Sequence, residues 1–367
     1  MTGAAPIAEL PARILAAQLP LDAAWGRVRA KAGMPGVDGL SVGRFTPTAE
    51  ASLRTLEHQL ASGTYAPLPL RLAELEKKDG GRRTLLVPAV RDRIAQAAVA
   101  SWLGAKWNPS FDSASFAYRP GLGVRSALRH LRDLHRAGYR WVFDADIRQC
   151  FDSFDHHQLF DRLDRCLGQS SPLCAWIRTW VGSAVWDGLN LYRVTTGIPQ
   201  GSPLSPLLAN FYLDDFDRSM RSAGVKFIRY ADDFLVLARS PFDLATARRH
   251  AKETLGRLGL SLKPEKTRTT SFDKWFRFLG AEIRGDDILL PFEKVKTPLA
   301  PVFVAPRMPP ALLRAWQAGH LHARTPLTER PRAIEPPRHV TPVLSRRPRV
   351  LTSLAGQPQP LRRSHTG

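Results

Sequence analysis

Two adjacent carboxylates, Asp232 and Asp233, lie between two apolar runs in Lys226-Phe-Ile-Arg-Tyr-Ala-Asp-Asp-Phe-Leu-Val-Leu. The flanking stretches, 225–230 and 233–239, have the length and the aromatic and branched content of short buried strands. This spacing predicts a tight hairpin with both acids at its tip. Two like charges there repel unless a cation lies between them. An acidic turn is also common on an exposed surface, so this stretch alone leaves both readings open.

A third acid, Asp146, narrows the choice. It stands in Trp141-Val-Phe-Asp-Ala-Asp-Ile-Arg-Gln-Cys-Phe-Asp, where a strand-like run at 139–145 gives way to a helical stretch. Asp is also a good helix N-cap, which is the structural alternative for Asp146. Two strand ends that each supply an acid can hold a pair of Mg²⁺ ions, which favour oxygen ligands and keep substrate phosphate in their shell. Two such ions about 4 Å apart activate an attacking hydroxyl and stabilise the leaving oxygen of an in-line phosphoryl displacement. The expected chemistry is nucleotidyl transfer.

Further motifs occur in a fixed order along the chain. They are Met34-Pro-Gly-Val-Asp-Gly, Lys77-Lys-Asp-Gly-Gly-Arg-Arg-Thr-Leu-Leu-Val-Pro, Val90-Arg-Asp-Arg-Ile-Ala-Gln and Ser115-Phe-Ala-Tyr-Arg-Pro-Gly. After the Asp146 segment come Gly197-Ile-Pro-Gln-Gly-Ser-Pro-Leu-Ser-Pro, the acidic hairpin, Gly259-Leu-Ser-Leu-Lys-Pro-Glu-Lys-Thr and Phe278-Leu-Gly. In this order they resemble a reverse transcriptase of the bacterial group II intron-like lineage. The resemblance implies an α+β right-hand polymerase with fingers and a ferredoxin-like palm.

Asp146, Asp232 and Asp233 would then be the catalytic and metal-binding acids, with the Ile147 carbonyl completing the shell of one of two Mg²⁺ ions. Mn²⁺ would be a possible substitute. Lys77 and Arg83 flank the Gly80-Gly81 turn and would bind the triphosphate, a role that suits a mobile ammonium and a planar guanidinium. Gln200 and Gly201 would contact template and nucleotide. Phe151, five positions after Asp146, would exclude a 2′-hydroxyl by its bulk. Lys266 would be the general acid toward pyrophosphate. Tyr230, Phe278, Leu279 and Gly280 would position the primer.

The balance of 53 Lys and Arg against 33 Asp and Glu, net +20, suits a polyanionic partner. The resemblance specifies an RNA template, a DNA or RNA primer and deoxynucleoside triphosphates. The Ser-Pro-Leu-Ser-Pro wording after Gly201 resembles that of intron-like and CRISPR-associated enzymes. Together with the stand-alone body and the Arg/Pro tail, this resemblance favours a CRISPR integrase complex as a partner, with spacer acquisition from RNA as the setting. Two other functions stay open. One is a template-independent polymerase of abortive-infection type; the other is an RNA-binding intron-splicing cofactor that needs no catalysis. An unused acidic cluster beside phosphate would weaken RNA affinity, which argues against the cofactor.

Cys150, Cys166 and Cys174 form no C-x-x-C pair or zinc spacing and are expected to be reduced. No stretch is long and apolar enough to span a membrane, and the N-terminus has no signal-peptide pattern, so a cytoplasmic location is expected.

Helical periodicity falls at 21–32, 48–62, 89–106, 123–137, 155–167, 172–184, 203–222 and 242–258. The expected organisation is an N-terminal helical extension at 1–62, fingers at 63–138, a palm at 139–297 and a basic tail at 298–367. The last 70 residues hold 13 Pro and 11 Arg but only two acids, a composition expected to be disordered apart from a short helix at 311–319. A thumb is expected to be reduced or absent, and the tail to act as an electrostatic tether.

Overall fold

The computed structural model describes residues 10–76, 80–290 and 301–323. Twelve strands run in chain order among them: β1 (Leu70–Glu76), β2 (Arg82–Val87), β3 (Trp141–Asp146), β4 (Ala184–Trp186), β5 (Leu191–Arg193) and β6 (Lys226–Tyr230), then β7 (Asp233–Ala238), β8 (Arg268–Ser271), β9 (Phe276–Phe278), β10 (Ala281–Arg284), β11 (Asp287–Leu289) and β12 (Pro301–Val304). The expected α+β character holds, and the predicted helices recur within a few residues of their sequence limits.

One sheet has the order β6-β7-β3-β8, with every neighbour antiparallel. Chain order alternates: β3, a helical segment ending in Ser205–Ser222, the β6–β7 hairpin, helix Pro241–Arg257, then β8. Side-chain direction alternates along a strand. Phe143, Phe234 and Val236 therefore join the core beneath these helices, while Val142, Leu235 and Leu237 join a second core with Leu128, Leu131, Phe272 and Ile283. Burial on both faces explains why these strands read as unbroken apolar runs rather than as alternating ones.

A second sheet is built around β1. It pairs with β2 as an antiparallel hairpin, with β12 antiparallel and with β4 in parallel, and β5 continues from β4. A three-stranded meander, β9-β10-β11, completes the strands.

The expectation of disorder from residue 298 is corrected for residues 301–323. Ala73, Glu74 and Leu75 pair with Val304, Phe303 and Pro301. Ala305 and Met308 are buried with Val37, Leu72 and Trp186. Trp186 Nε1 donates to the Pro306 carbonyl at 2.9 Å, and Met308 N donates to the Val37 carbonyl at 3.0 Å. Proline lacks an N–H but is tolerated at the first residue of an edge strand, the place Pro301 occupies. The short helix expected at 311–319 is present as Pro310–Gln317, and Trp316 Nε1 from it reaches the Pro67 carbonyl. Residues 324–367 lie outside the described residues.

Candidate active site

The β6–β7 hairpin closes through Ala231-Asp232, because Tyr230 pairs directly with Asp233. Ala231 takes φ 61°, a left-handed conformation that costs an L-residue roughly 1–2 kcal/mol. Buried hydrogen bonds hold it there. The Arg229 guanidinium donates to the Ala231 carbonyl at 3.2 Å, to Asn210 Oδ1 at 3.1 Å and to both carboxylate oxygens of Asp217. From the neighbouring strand, Ile147 N donates to the Asp232 carbonyl at 3.0 Å. The β3–β7 register then sets Asp146 opposite Asp233. The three acids therefore meet at one end of one sheet. The N-cap alternative for Asp146 fails, because the following helix starts at Cys150 after Gln149.

Burial first, and then the Asp146 charge, raises the Asp232 pKa. Burial and the charges of Asp144, Asp146 and Asp232 push Asp233 up to about 7. Asp146 itself is contacted by two ammonium groups: Lys263 on Oδ1, and Lys266 on Oδ2 at 2.9 Å. That hydrogen bond raises the Lys266 pKa.

Sequence reasoning missed Lys263. Its signal was its place three residues before Lys266, in a loop whose backbone bonds back to the Asp146 carbonyl. Among the described residues no three acidic, imidazole or thiolate side chains converge closely enough to chelate one ion. The donor chemistry nevertheless fits Mg²⁺. The oxygens belong to carboxylates, burial and neighbouring charge make Asp232 and Asp233 resist ionisation, and cationic nitrogens already sit on Asp146.

This crowding gives a pH dependence with a definite sign. An unfolded Asp titrates near 4, whereas folded Asp233 titrates at about 7. Between these values the native state keeps a proton that the unfolded state has lost, so this group's contribution to stability falls as pH rises. Thermal melts in EDTA from about pH 4 to about pH 8 should show wild type losing stability relative to Asp233→Asn. A difference that stays constant with pH would show that Asp233 carries no such repulsion.

Asp144, Asp146 and Asp233 line a cleft of about 340 Å³ together with Glu265, Lys266, Arg268, Arg277 and the Phe278-Leu279-Gly280 segment. Asp232 lies on the adjoining turn rather than on this lining. Leu279 and Gly280, at φ 51° and 82°, form the two-residue turn between β9 and β10, as in a type I′ hairpin. They reach the rim while Phe278 stays in the core. Tyr230 is half-buried against the same core cluster as Phe278. Asp144 is tied by Arg268 Nε at 2.8 Å.

On the other side, Arg83 Nε donates to Gln200 Oε1 at 3.1 Å, and Gln200 Nε2 donates to Asp152 Oδ1 at 3.0 Å. Leu86 N donates to the Gln200 carbonyl at 2.7 Å. A side chain on Gly201 would start 2.7 Å from the Leu86 carbonyl oxygen, so only glycine lets strand β2 dock here. Phe151 is half-buried, and its carbonyl accepts from Ile198 N at 2.7 Å, two residues before Gln200. Arg82, the neighbour of Arg83 in β2, pairs with Glu74. Lys77 lies outside the described residues.

An α+β fold with acids meeting at adjacent strand ends is an arrangement compatible with phosphoryl transfer. The reverse transcriptase (RNA-dependent DNA polymerase) family model matches residues 75–283. The chain belongs to the reverse transcriptase family. Protein YkfC of Escherichia coli (strain K12) is 29% identical over 285 residues, 67% of this chain and 74% of that protein. The group II intron-encoded protein LtrA of Lactococcus lactis subsp. cremoris is 30% identical over 182 residues, 49% of this chain but only 30% of its own length. Telomerase from Candida albicans, solved with a fragment of telomeric RNA, has a TM-score of 0.51 at 13% identity. That likeness covers 70% of this chain and 51% of the telomerase, and it shows a shared fold. Among the described residues no helix is long and apolar enough to cross a membrane.

Proposed function

We propose that the chain extends a primer 3′-hydroxyl with deoxynucleoside triphosphates on an RNA template, by two-metal nucleotidyl transfer. The observation that carries this reading is the register that sets Asp146 against Asp233, with the Asp232 carbonyl of the adjoining turn held by Ile147 N. Two Mg²⁺ ions held by these acids and the Ile147 carbonyl would activate the primer hydroxyl and neutralise the leaving pyrophosphate. Mn²⁺ suits the same oxygens.

In this reading β3, β6, β7 and β8 are the palm, and their β-α-β-β-α-β order is that of a ferredoxin-like sheet. The β1–β2 hairpin is the fingers element; Arg83 and Lys77 bind the triphosphate, and Gln200 and Gly201 contact the template and nucleotide. Lys266 is the general acid. Its ammonium stays protonated beside Asp146, and its 59% exposed side chain is free to reach a leaving group. Phe278, Leu279, Gly280 and Tyr230 support the primer end. Residues 10–62 form a helical extension, and residues 301–323 belong with the fingers rather than with a tail.

Primer extension on RNA, on DNA and with no template tests the reading. Extension without template would favour the abortive-infection-type polymerase, and RNA binding without extension the splicing cofactor. The CRISPR integrase partner rests on analogy with CRISPR-associated enzymes, whose Ser-Pro-Leu-Ser-Pro wording intron-like enzymes share, and the neighbours of the gene would decide it.

Phe151→Ala is expected to admit ribonucleotides, because the ring is the bulk offered against a 2′-hydroxyl. Competition between ribo- and deoxynucleotides in single-nucleotide incorporation measures this. An unchanged ratio would make Phe151 a packing residue only.

A further inference from the structure

Tyr118 combines two features that are unusual together. Its φ is 60°, a left-handed conformation disfavoured for a bulky residue, and its side chain is 53% exposed. Among the described residues its side chain makes no hydrogen bond and no ring contact. Strain at an exposed aromatic brings no packing in return, so the surrounding structure must impose it.

The imposing contacts lie on both sides of it. Before Tyr118, Asn210 Nδ2 donates to the Ala117 carbonyl at 2.8 Å. Phe116 N donates to the Arg229 carbonyl at 3.0 Å, and Arg229 N donates to the Ala114 carbonyl at 2.8 Å. After it, the Arg119 guanidinium holds the Ser115 carbonyl at 2.7 Å and Asn108 Oδ1 at 2.7 Å. Asn210 and Arg229 are the residues that also hold the Ala231-Asp232 turn. One buried hub therefore fixes both the acid and the tyrosine.

The ring stands near charges of both signs. Burial and the Asp232 carboxylate raise the phenol's pKa, while the Arg83 guanidinium lowers it. Ser115 bridges in parallel to Arg229, and the hub ties the Ala117 carbonyl to the Ala231 carbonyl, so the exposed ring lies on the segment beside the acidic turn, next to the space a nucleotide would fill.

We propose that Tyr118 is a stacking platform for the base of the incoming nucleotide, a positioning role that rests on the polymerase reading above. Stacking on an aromatic suits any base, because each has a π face. A ring fixed in place by the backbone also loses little freedom on binding.

The test uses the full chain with a dideoxy-terminated primer on RNA template, so that nucleotide binds without reacting. 2-Aminopurine deoxyribonucleoside triphosphate is the probe, since its fluorescence is quenched on stacking. Tyr118→Asn removes the ring and suits the left-handed backbone, so its fold should be kept; Tyr118→Phe keeps the ring. Tyr118→Asn is expected to weaken probe binding by about tenfold and to lose the quench. Tyr118→Phe should stay within about twofold of wild type. Template–primer affinity, read by anisotropy, should be unchanged in both.

Probe binding by Tyr118→Asn equal to wild type would overturn the proposal. So would a loss of template–primer affinity with nucleotide binding intact, which would assign the ring to the duplex. A wild-type chain that binds and quenches the probe but fails to extend an ordinary primer would sink the polymerase reading while leaving the stacking result standing.

Discussion

A chain ending at Ala300 is expected to lose about 10 °C or more of melting temperature, or to accumulate in insoluble form. One ending at Ala323 should melt within a few degrees of the full chain. The first truncation removes β12, which hydrogen-bonds to β1, and the buried Ala305 and Met308 that follow it. It also strands Trp186 Nε1 and Arg71 Nε, which donate to the Pro306 and Ala305 carbonyls. Emptying the Met308 site should cost about 2–5 kcal/mol, and each lost hydrogen bond about 0.5–1.5 kcal/mol. Together these are a large share of the roughly 5–15 kcal/mol that holds a typical domain folded. Because β1 also pairs with β2, the strand bearing Arg83, nucleotide affinity should fall along with stability. Thermal melts and nucleotide binding on the two truncations would decide it. A chain ending at Ala300 that melts and binds like the full chain would return residues 301–323 to the status of a dispensable tail.

Asp232→Asn is expected to lower primer extension by about 10³-fold or more, since several kcal/mol of charge stabilisation is lost and each 1.4 kcal/mol is tenfold. RNA affinity should hold within about threefold, because an acid contributes nothing favourable to phosphate binding. Without metal the melting temperature should not fall. Burial and the Asp146 charge already disfavour the ionised form of Asp232, and the amide removes that repulsion while keeping the shape. Single-turnover extension, anisotropy on labelled RNA and melts in EDTA separate the three effects. Extension within tenfold of wild type would remove Asp232 from the chemistry. A collapse in melting temperature would instead make it a structural residue of the turn.

Local signals in the sequence were sufficient for the acidic hairpin. Two short apolar runs around Ala231-Asp232 leave room for little besides a two-residue turn, and strand length and turn position are properties of neighbouring residues. The end of β3 at Asp146 was legible for the same reason, as was the short helix at Pro310–Gln317 within an otherwise proline-rich stretch. The order of motifs carried the family, which the match over residues 75–283 shows.

The tertiary structure alone decided which strand ends face each other. Asp146 and Asp233 lie 87 positions apart, and their pairing depends on a register set by cores on both faces of the sheet. The second lysine on Asp146, the hub of Asn210, Arg229 and Asp217, and the left-handed backbone of Tyr118 are likewise products of long-range contact. The proline-rich segment after residue 300 was misread because composition reports what a segment can do alone. Pro301–Val304 cannot form a sheet alone, but the open edge of β1 supplies the partner, and the order of that segment is a property of the edge it meets.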